Sequence, residues 1–187
     1  MPNLILYHAT GKMNWQKIID QGLKVPATDW ARFYVGRMRK KPGSLGFGTY
    51  GFLSDKELAE QYWLSATSGQ EHVIIRIEID VNEDNCLNFV NGLKDMRLFK
   101  NFIMENRIQP QITNLNRLYH NSYRQHEFDG ALIEYYIRRL EKTDVFQHIA
   151  CVTCATTTDL YHIKTYIPNG IEYCIRNVRI VQHMEGV

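Results

Sequence analysis

The chain has 187 residues, a formal net charge of +2 and 44% apolar residues, the size and balance of one domain, residues 1–187, with a full core. So small a charge excludes a bulk electrostatic case for nucleic-acid binding, and the lack of any apolar run of about 18 residues excludes a membrane-spanning helix. The opening MPNLILYHAT has neither a basic region nor a long apolar stretch, so a secretory signal is not expected, a cytoplasmic location is, and Cys86, Cys151, Cys154 and Cys174 are expected as reduced thiols.

Residues 3–8 are an apolar run expected to form a buried strand. Thr10-Gly11-Lys12 breaks it, and Trp15, Ile18 and Ile19 follow at helical spacing up to Gly22, where a helix C-cap belongs. Residues 30–36 are expected as a second short strand, and 37–44 as a basic, breaker-rich loop. Residues 47–54 read as a strand with Gly48 and Gly51 inside it, a mark of close approach by a ligand or another backbone. Asp55 is placed to cap a helix that carries Leu58, Ala59, Tyr62 and Trp63.

Val73, Ile75, Ile77 and Ile79 alternate with polar residues, the pattern of a half-buried strand over 72–80. Met96, Leu98, Phe99, Phe102 and Ile103 form a helical stripe over 95–106, and 109–123 reads as a more polar helix. Phe128-Asp129-Gly130 is expected as a turn leading into an apolar strand over 131–136. Residues 137–158 fit helix and strand equally. Residues 160–166 fit a strand, 168–170 a turn and 171–181 the last strand. There is no internal repeat, low-complexity segment or linker. Strands and helices mix without regular alternation, so the expected class is α+β.

Several residues invite chemistry, and each has a plain structural alternative. His8 at a strand end reads, alone, as a hydrogen-bonded structural histidine. Glu172 at the start of an apolar strand reads, alone, as an exposed edge residue. Arg37, Arg39, Lys40 and Lys41 could hold a pyrophosphate or a nucleic acid, or could be a solvated loop. Arg138, Arg139 and Lys142 form a smaller basic cluster expected to be surface. Cys151-x-x-Cys154 lacks a second pair at metal-ligand spacing, so buried thiols are expected and no metal. Aromatic residues make up 12% of the chain, eleven of them Tyr, which suits a pocket that stacks planar ligands.

Three fragments resemble the ADP-ribosyltransferases of the His–aromatic–Glu branch, that of diphtheria toxin and the poly(ADP-ribose) polymerases. Leu6-Tyr7-His8-Ala9-Thr10, with the helix that ends in Gly22-Leu23, is similar to the family's strand ending in His-Gly-Ser/Thr; Ala9 stands where Gly is usual. Phe47-Gly48-Thr49-Tyr50-Gly51-Phe52-Leu53-Ser54-Asp55 is similar to the Phe-Gly-x-Gly-x-Tyr-Phe-x-Asp block, with Phe52 at the Tyr position and Leu58 where a Ser is common. Asn169-Gly170-Ile171-Glu172-Tyr173-Cys174-Ile175 is similar to the strand that carries the catalytic Glu. Phe128-Asp129-Gly130 and the stretch 102–107 also resemble segments of uncharacterised bacterial and phage-defence toxins.

The resemblance implies a split mixed β-sheet with flanking helices, NAD as co-substrate, and no metal. It implies Glu172 as the catalytic residue and His8 as the partner of a ribose hydroxyl. Ala9 and Thr10 would lie at the nicotinamide amide, and Tyr50 or Phe52 would stack on the ring. Tyr62 or Trp63 would oppose it, and the loop with Arg37 would cover NAD. The implied activity is mono-ADP-ribosyl transfer to nucleic acid or protein, the basic loop favouring nucleic acid. The context would be a cytoplasmic toxin of a toxin–antitoxin or phage-defence system, with an antitoxin protein as partner and acceptor specificity in 95–123. An NAD glycohydrolase, and a catalytically silent NAD- or nucleotide-binding module, are the alternatives.

The residue types suit that chemistry. Breaking the nicotinamide–ribose bond develops an oxocarbenium-like cation, as in glycoside hydrolysis. Nicotinamide leaves neutral, so no acid is needed to protonate it. A carboxylate in a dry pocket opposes the developing charge, aromatic faces grip the ring, and one histidine orients the ribose.

Overall fold

The computed structural model describes residues 3–25, 27–121, 125–143, 148–158 and 165–187. In chain order the main elements are β1 (Leu4–Gly11), α1 (Lys12–Gln21), α2 (Trp30–Phe33), β2 (Thr49–Leu53), α3 (Lys56–Thr67), β3 (His72–Ile79), β4 (Cys86–Phe89), α4 (Leu93–Ile103), α5 (Gln109–Leu118), α6 (Glu127–Glu141), β5 (Cys151–Thr156), β6 (Gly170–Ile175) and β7 (Val181–Gly186). Among the described residues this is an α+β architecture of seven strands in one sheet and six helices. The strand order is β4-β5-β6-β2-β1-β3-β7, and only β4 and β5 run parallel.

One junction in that sheet is thin. β1 and β2 share two residue pairs, Leu6 with Leu53 and Tyr7 with Phe52. Beyond Tyr7, β1 stays with β3 as far as Gly11, while β2 stays with β6 back to Thr49. The strands therefore part into two half-sheets, β1-β3-β7 and β4-β5-β6-β2, joined at one corner.

The two faces of β6 separate two cores. Tyr173 and Ile175 join Leu6, Ile75, Ile77 and Ile79 in one, with Trp15 and Ile18 of α1 against them. Cys174 joins Leu87, Val152, Phe102, Ile133, Tyr136 and Ile137 in the other, under α4 and α6. Each Ile or Leu fully withdrawn from water here contributes about 1.5–3 kcal/mol. The alternation along β6 thus points Glu172 to the same face as Cys174.

Several expected elements form as read. Asp55 accepts the Leu58 N–H at 2.8 Å and caps α3, and Gly22 ends α1 with its N–H on the Ile18 carbonyl. Gly48 faces the Ile175 backbone so closely that a Cβ would collide with it, so here the close neighbour is another strand. Four expectations fail. Residues 30–36 hold the short helix α2, because Asp29 caps the Arg32 N–H at 3.1 Å and Trp30 meets Phe33 edge-on at 5.1 Å. Residues 128–136 lie in α6, with no turn or strand. The expected strand over 171–181 breaks after Ile175, because the Arg176 and Asn177 N–H groups both turn to the Ala150 carbonyl and Asn177 caps a 3₁₀ turn. The remaining residues then form β7 on the far edge of the sheet, beside β3. Strand β4 had no reading of its own. The expected strand over 160–166 falls largely on residues outside those described.

Candidate active site

A cavity of about 1010 Å³ opens where β1 and β2 part, with α1 and α3 on its rim. Of the site residues read from the sequence, His8, Ala9, Thr10, Tyr50, Phe52, Tyr62 and Glu172 all line it. Arg37 does not; it lies exposed on the loop. Of the basic loop, Lys40 and Lys41 line the cavity and Arg39 does not.

His8 sits one residue past the last β1–β2 pair and faces the gap, with the Tyr50 backbone close enough to act on its ring. Burial lowers its pKa below the ordinary histidine value; the Tyr50 backbone opposes the shift, and the Lys40 ammonium adds to it. The shift favours the neutral imidazole, whose unprotonated ring nitrogen accepts a hydrogen bond.

Glu172 lies on β6, paired with Phe52 of β2 on one side and Cys154 of β5 on the other. Burial raises its carboxyl to about 7, against the pull of a hydrogen bond from the Ser44 hydroxyl at 2.8 Å. A carboxyl this perturbed, facing a cleft, is a candidate functional group. Burial and then the charge of Glu172 raise the Tyr62 phenol, and the same two causes, in that order, raise the Cys154 thiol.

The aromatic residues divide by role. Phe52 packs with Tyr7, Leu58 and Ala59 and meets Tyr62 edge-on at 5.8 Å. Tyr62 itself is 45% exposed. Tyr50 instead anchors a turn: its hydroxyl donates to the Gly46 carbonyl at 2.6 Å and accepts the Leu45 N–H at 2.9 Å. Leu58, where the resemblance would put a serine, is buried in the Phe52 cluster.

That turn carries Ser44, which the sequence reading missed. Gly43 and Gly46 hydrogen-bond each other's backbones across it. A Cβ on Gly130 would run into the Gly43 carbonyl, so only glycine lets α6 back onto the turn. Behind it Glu134, fully buried at 0% exposure, accepts the Phe47 N–H at 2.6 Å and both arms of the Arg176 guanidinium. Arg176 follows directly on β6, the strand that holds Glu172. One clamp thus joins strand, turn and helix behind the site. A lone carboxylate in an apolar helix, Glu134 within Ala131–Tyr136, was the available signal, hidden because that stretch was read as a strand.

Other predicted groups lie elsewhere. Arg138 stacks its guanidinium on Trp30 at 4.3 Å, and Arg139 pairs with Glu105 at 3.2 Å. All four cysteines are free; Cys86, Cys151 and Cys174 are buried and Cys154 half-buried. Among the described residues no group of three or more His, Cys, Asp or Glu side chains could hold a metal ion, and no helix is long and apolar enough to cross a membrane.

The charge of the cavity is lopsided. Among the described residues lining it, Glu172 is the sole carboxylate, against Lys17, Lys24, Lys40 and Lys41. Such a rim attracts anions, while the deep wall offers aromatic surface, one neutral histidine and one poised carboxyl. Comparison with protein-family models, with curated proteins and with solved structures gives no match for this chain.

Proposed function

We propose that this chain binds NAD in the cleft between its half-sheets and cleaves the nicotinamide–ribose bond, passing ADP-ribose to a macromolecular acceptor as a mono-ADP-ribosyltransferase. One observation carries the reading: His8 and Glu172, from strands far apart in the chain, face one cavity at the point where β1 and β2 separate. The cavity volume of about 1010 Å³ suits a ligand of dinucleotide size, at the upper end of small-molecule sites.

In this reading the nicotinamide ring lies against the Tyr7, Phe52 and Tyr62 surface. The neutral His8 accepts a hydrogen bond from a ribose hydroxyl. The lysine rim meets the diphosphate. The C1′–N bond breaks, its electron pair leaves with nicotinamide, and the Glu172 carboxylate opposes the positive charge growing on the ribose. Ser44 holds that carboxylate in place. A cationic nicotinamide-riboside group beside Glu172 favours its ionised form, so substrate binding itself draws off the proton that burial retains.

The test is incubation with labelled NAD, alone and with cellular protein, RNA and DNA, beside Glu172→Gln. Nicotinamide release with label on one acceptor class, lost in the variant, supports a transferase and names its substrate. Release with free ADP-ribose alone makes the protein a glycohydrolase. NAD binding without release leaves a silent binding module.

A further inference from the structure

His126 lines the same cavity as Glu172 yet has no part in the bond cleavage described above. Its Nδ1 lies 3.2 Å from the Asp129 carboxylate. A carboxylate only accepts, so Nδ1 carries the hydrogen, and in the neutral ring the lone pair is on Nε2. The orientation is well held. Asp129 also accepts from the Asn121 side-chain amide at 2.9 Å, and Asn121 in turn accepts the Phe128 N–H at 3.0 Å. A β-bridge ties Asn121 to His126.

This assembly is built onto the reactive centre. His126 precedes the first turn of α6, whose Gly130 abuts Gly43, next to the Ser44 that holds Glu172. Lys41 bonds the same turn through Glu127 at 3.6 Å. The charge of Asp129 reaches Cys154, the strand neighbour of Glu172. The His126 side chain is 51% exposed, open to a group arriving from solvent.

Resting on the reading of the site as an NAD-cleaving centre, we infer that His126, oriented by Asp129, is the base that activates the ADP-ribose acceptor. The acceptor is an O–H or N–H nucleophile. As its heteroatom bonds the ribose C1′ that nicotinamide has left, its proton passes to Nε2 of His126. The imidazolium so formed is stabilised by Asp129 and returns the proton to water. An oriented histidine of this kind contributes about 100-fold or more to rate.

The experiment compares wild type, Glu172→Gln, His126→Ala and Asp129→Asn for NAD binding and for transfer to the acceptor, with and without added imidazole. Expected is an His126→Ala chain that binds NAD as wild type does, transfers about 100-fold more slowly and regains rate with free imidazole, with a smaller loss for Asp129→Asn. A structural role would not respond to imidazole. Full transfer by His126→Ala, or a loss that imidazole leaves unchanged, overturns the assignment while the Glu172 dependence still stands. Absence of Glu172-dependent NAD cleavage in wild type overturns both.

Discussion

Two carboxylates on either side of the 43–48 segment meet opposite fates. Glu134 is fully buried but wholly satisfied, by the Arg176 guanidinium and the Phe47 N–H. Glu172 has, among the described residues, a single hydroxyl as hydrogen-bond donor and faces an open cleft, and burial lifts its carboxyl to about 7. The first is a structural clamp, whose charge is cancelled where it sits. The second is left poorly solvated and partly paired, which costs stability and leaves it open to a cationic group in the cleft. Burial with a countercharge thus makes a clamp, whereas burial without one leaves a carboxyl with a raised pKa.

The contrast breaks if Glu134 proves dispensable. Glu134→Ala strands the Arg176 charge and the Phe47 N–H, and should lower unfolding stability by about 3–5 kcal/mol in chemical denaturation. A midpoint shift within error would remove the clamp from the account.

Glu172→Gln should do the reverse. The folded carboxyl titrates near 7 against an ordinary 4.5. Its stabilising contribution is therefore complete below pH 4.5 and is lost as pH rises through 7. The neutral glutamine has no such loss, so the variant should be more stable than wild type at pH 8, by about 3 kcal/mol. Denaturation at pH 8 and pH 4 checks this: equal stabilities at pH 8 would show that Glu172 is well solvated. In the proposed reaction the ionised form acts, so kcat/KM for NAD cleavage should climb through pH 7.

Smaller changes sharpen the picture. Tyr50→Phe keeps the ring but frees the Leu45 N–H and leaves the Gly46 carbonyl with the Gly43 N–H alone, for a loss of about 1–2 kcal/mol in thermal unfolding. An unchanged Tm would mean that the turn holds itself. Ser44→Ala removes the one bond favouring the Glu172 anion, worth about 1 kcal/mol. The acidic limb of the NAD-cleavage profile should then move up by about 0.7 pH unit. A downward move would contradict the role given to Ser44.

Much of the first half of the fold was legible. β1, α1, α3 and β3 follow from local periodicity and caps such as Asp55, which act within a few residues. α6 was not: Ala131–Tyr136 is a short continuous apolar run that suits strand and helix alike, and contacts with Gly43 and Arg176 resolve it. The break after Ile175 depends on the Ala150 carbonyl, and α2 on rings meeting three residues apart. In the site, His8 and Glu172 stood out through the flanking resemblance, since each alone reads as ordinary. Ser44 and His126 carried no signal of their own, and the signal of Glu134, a lone carboxylate in an apolar run, did not name Arg176 as its partner.

By itself, then, the sequence determined the mixed strand and helix content, the first strand–helix unit and the capped helix α3. Only the tertiary structure decided that β1 and β2 part after two pairs, that Ser44 reaches Glu172 across 128 positions of chain, and that one buried glutamate is neutralised while the other is left exposed to a cleft. The reason is range. Periodicity and capping are set by neighbours along the chain, whereas burial, countercharge and hydrogen-bond supply at a carboxyl come from whichever distant segments the fold brings against it.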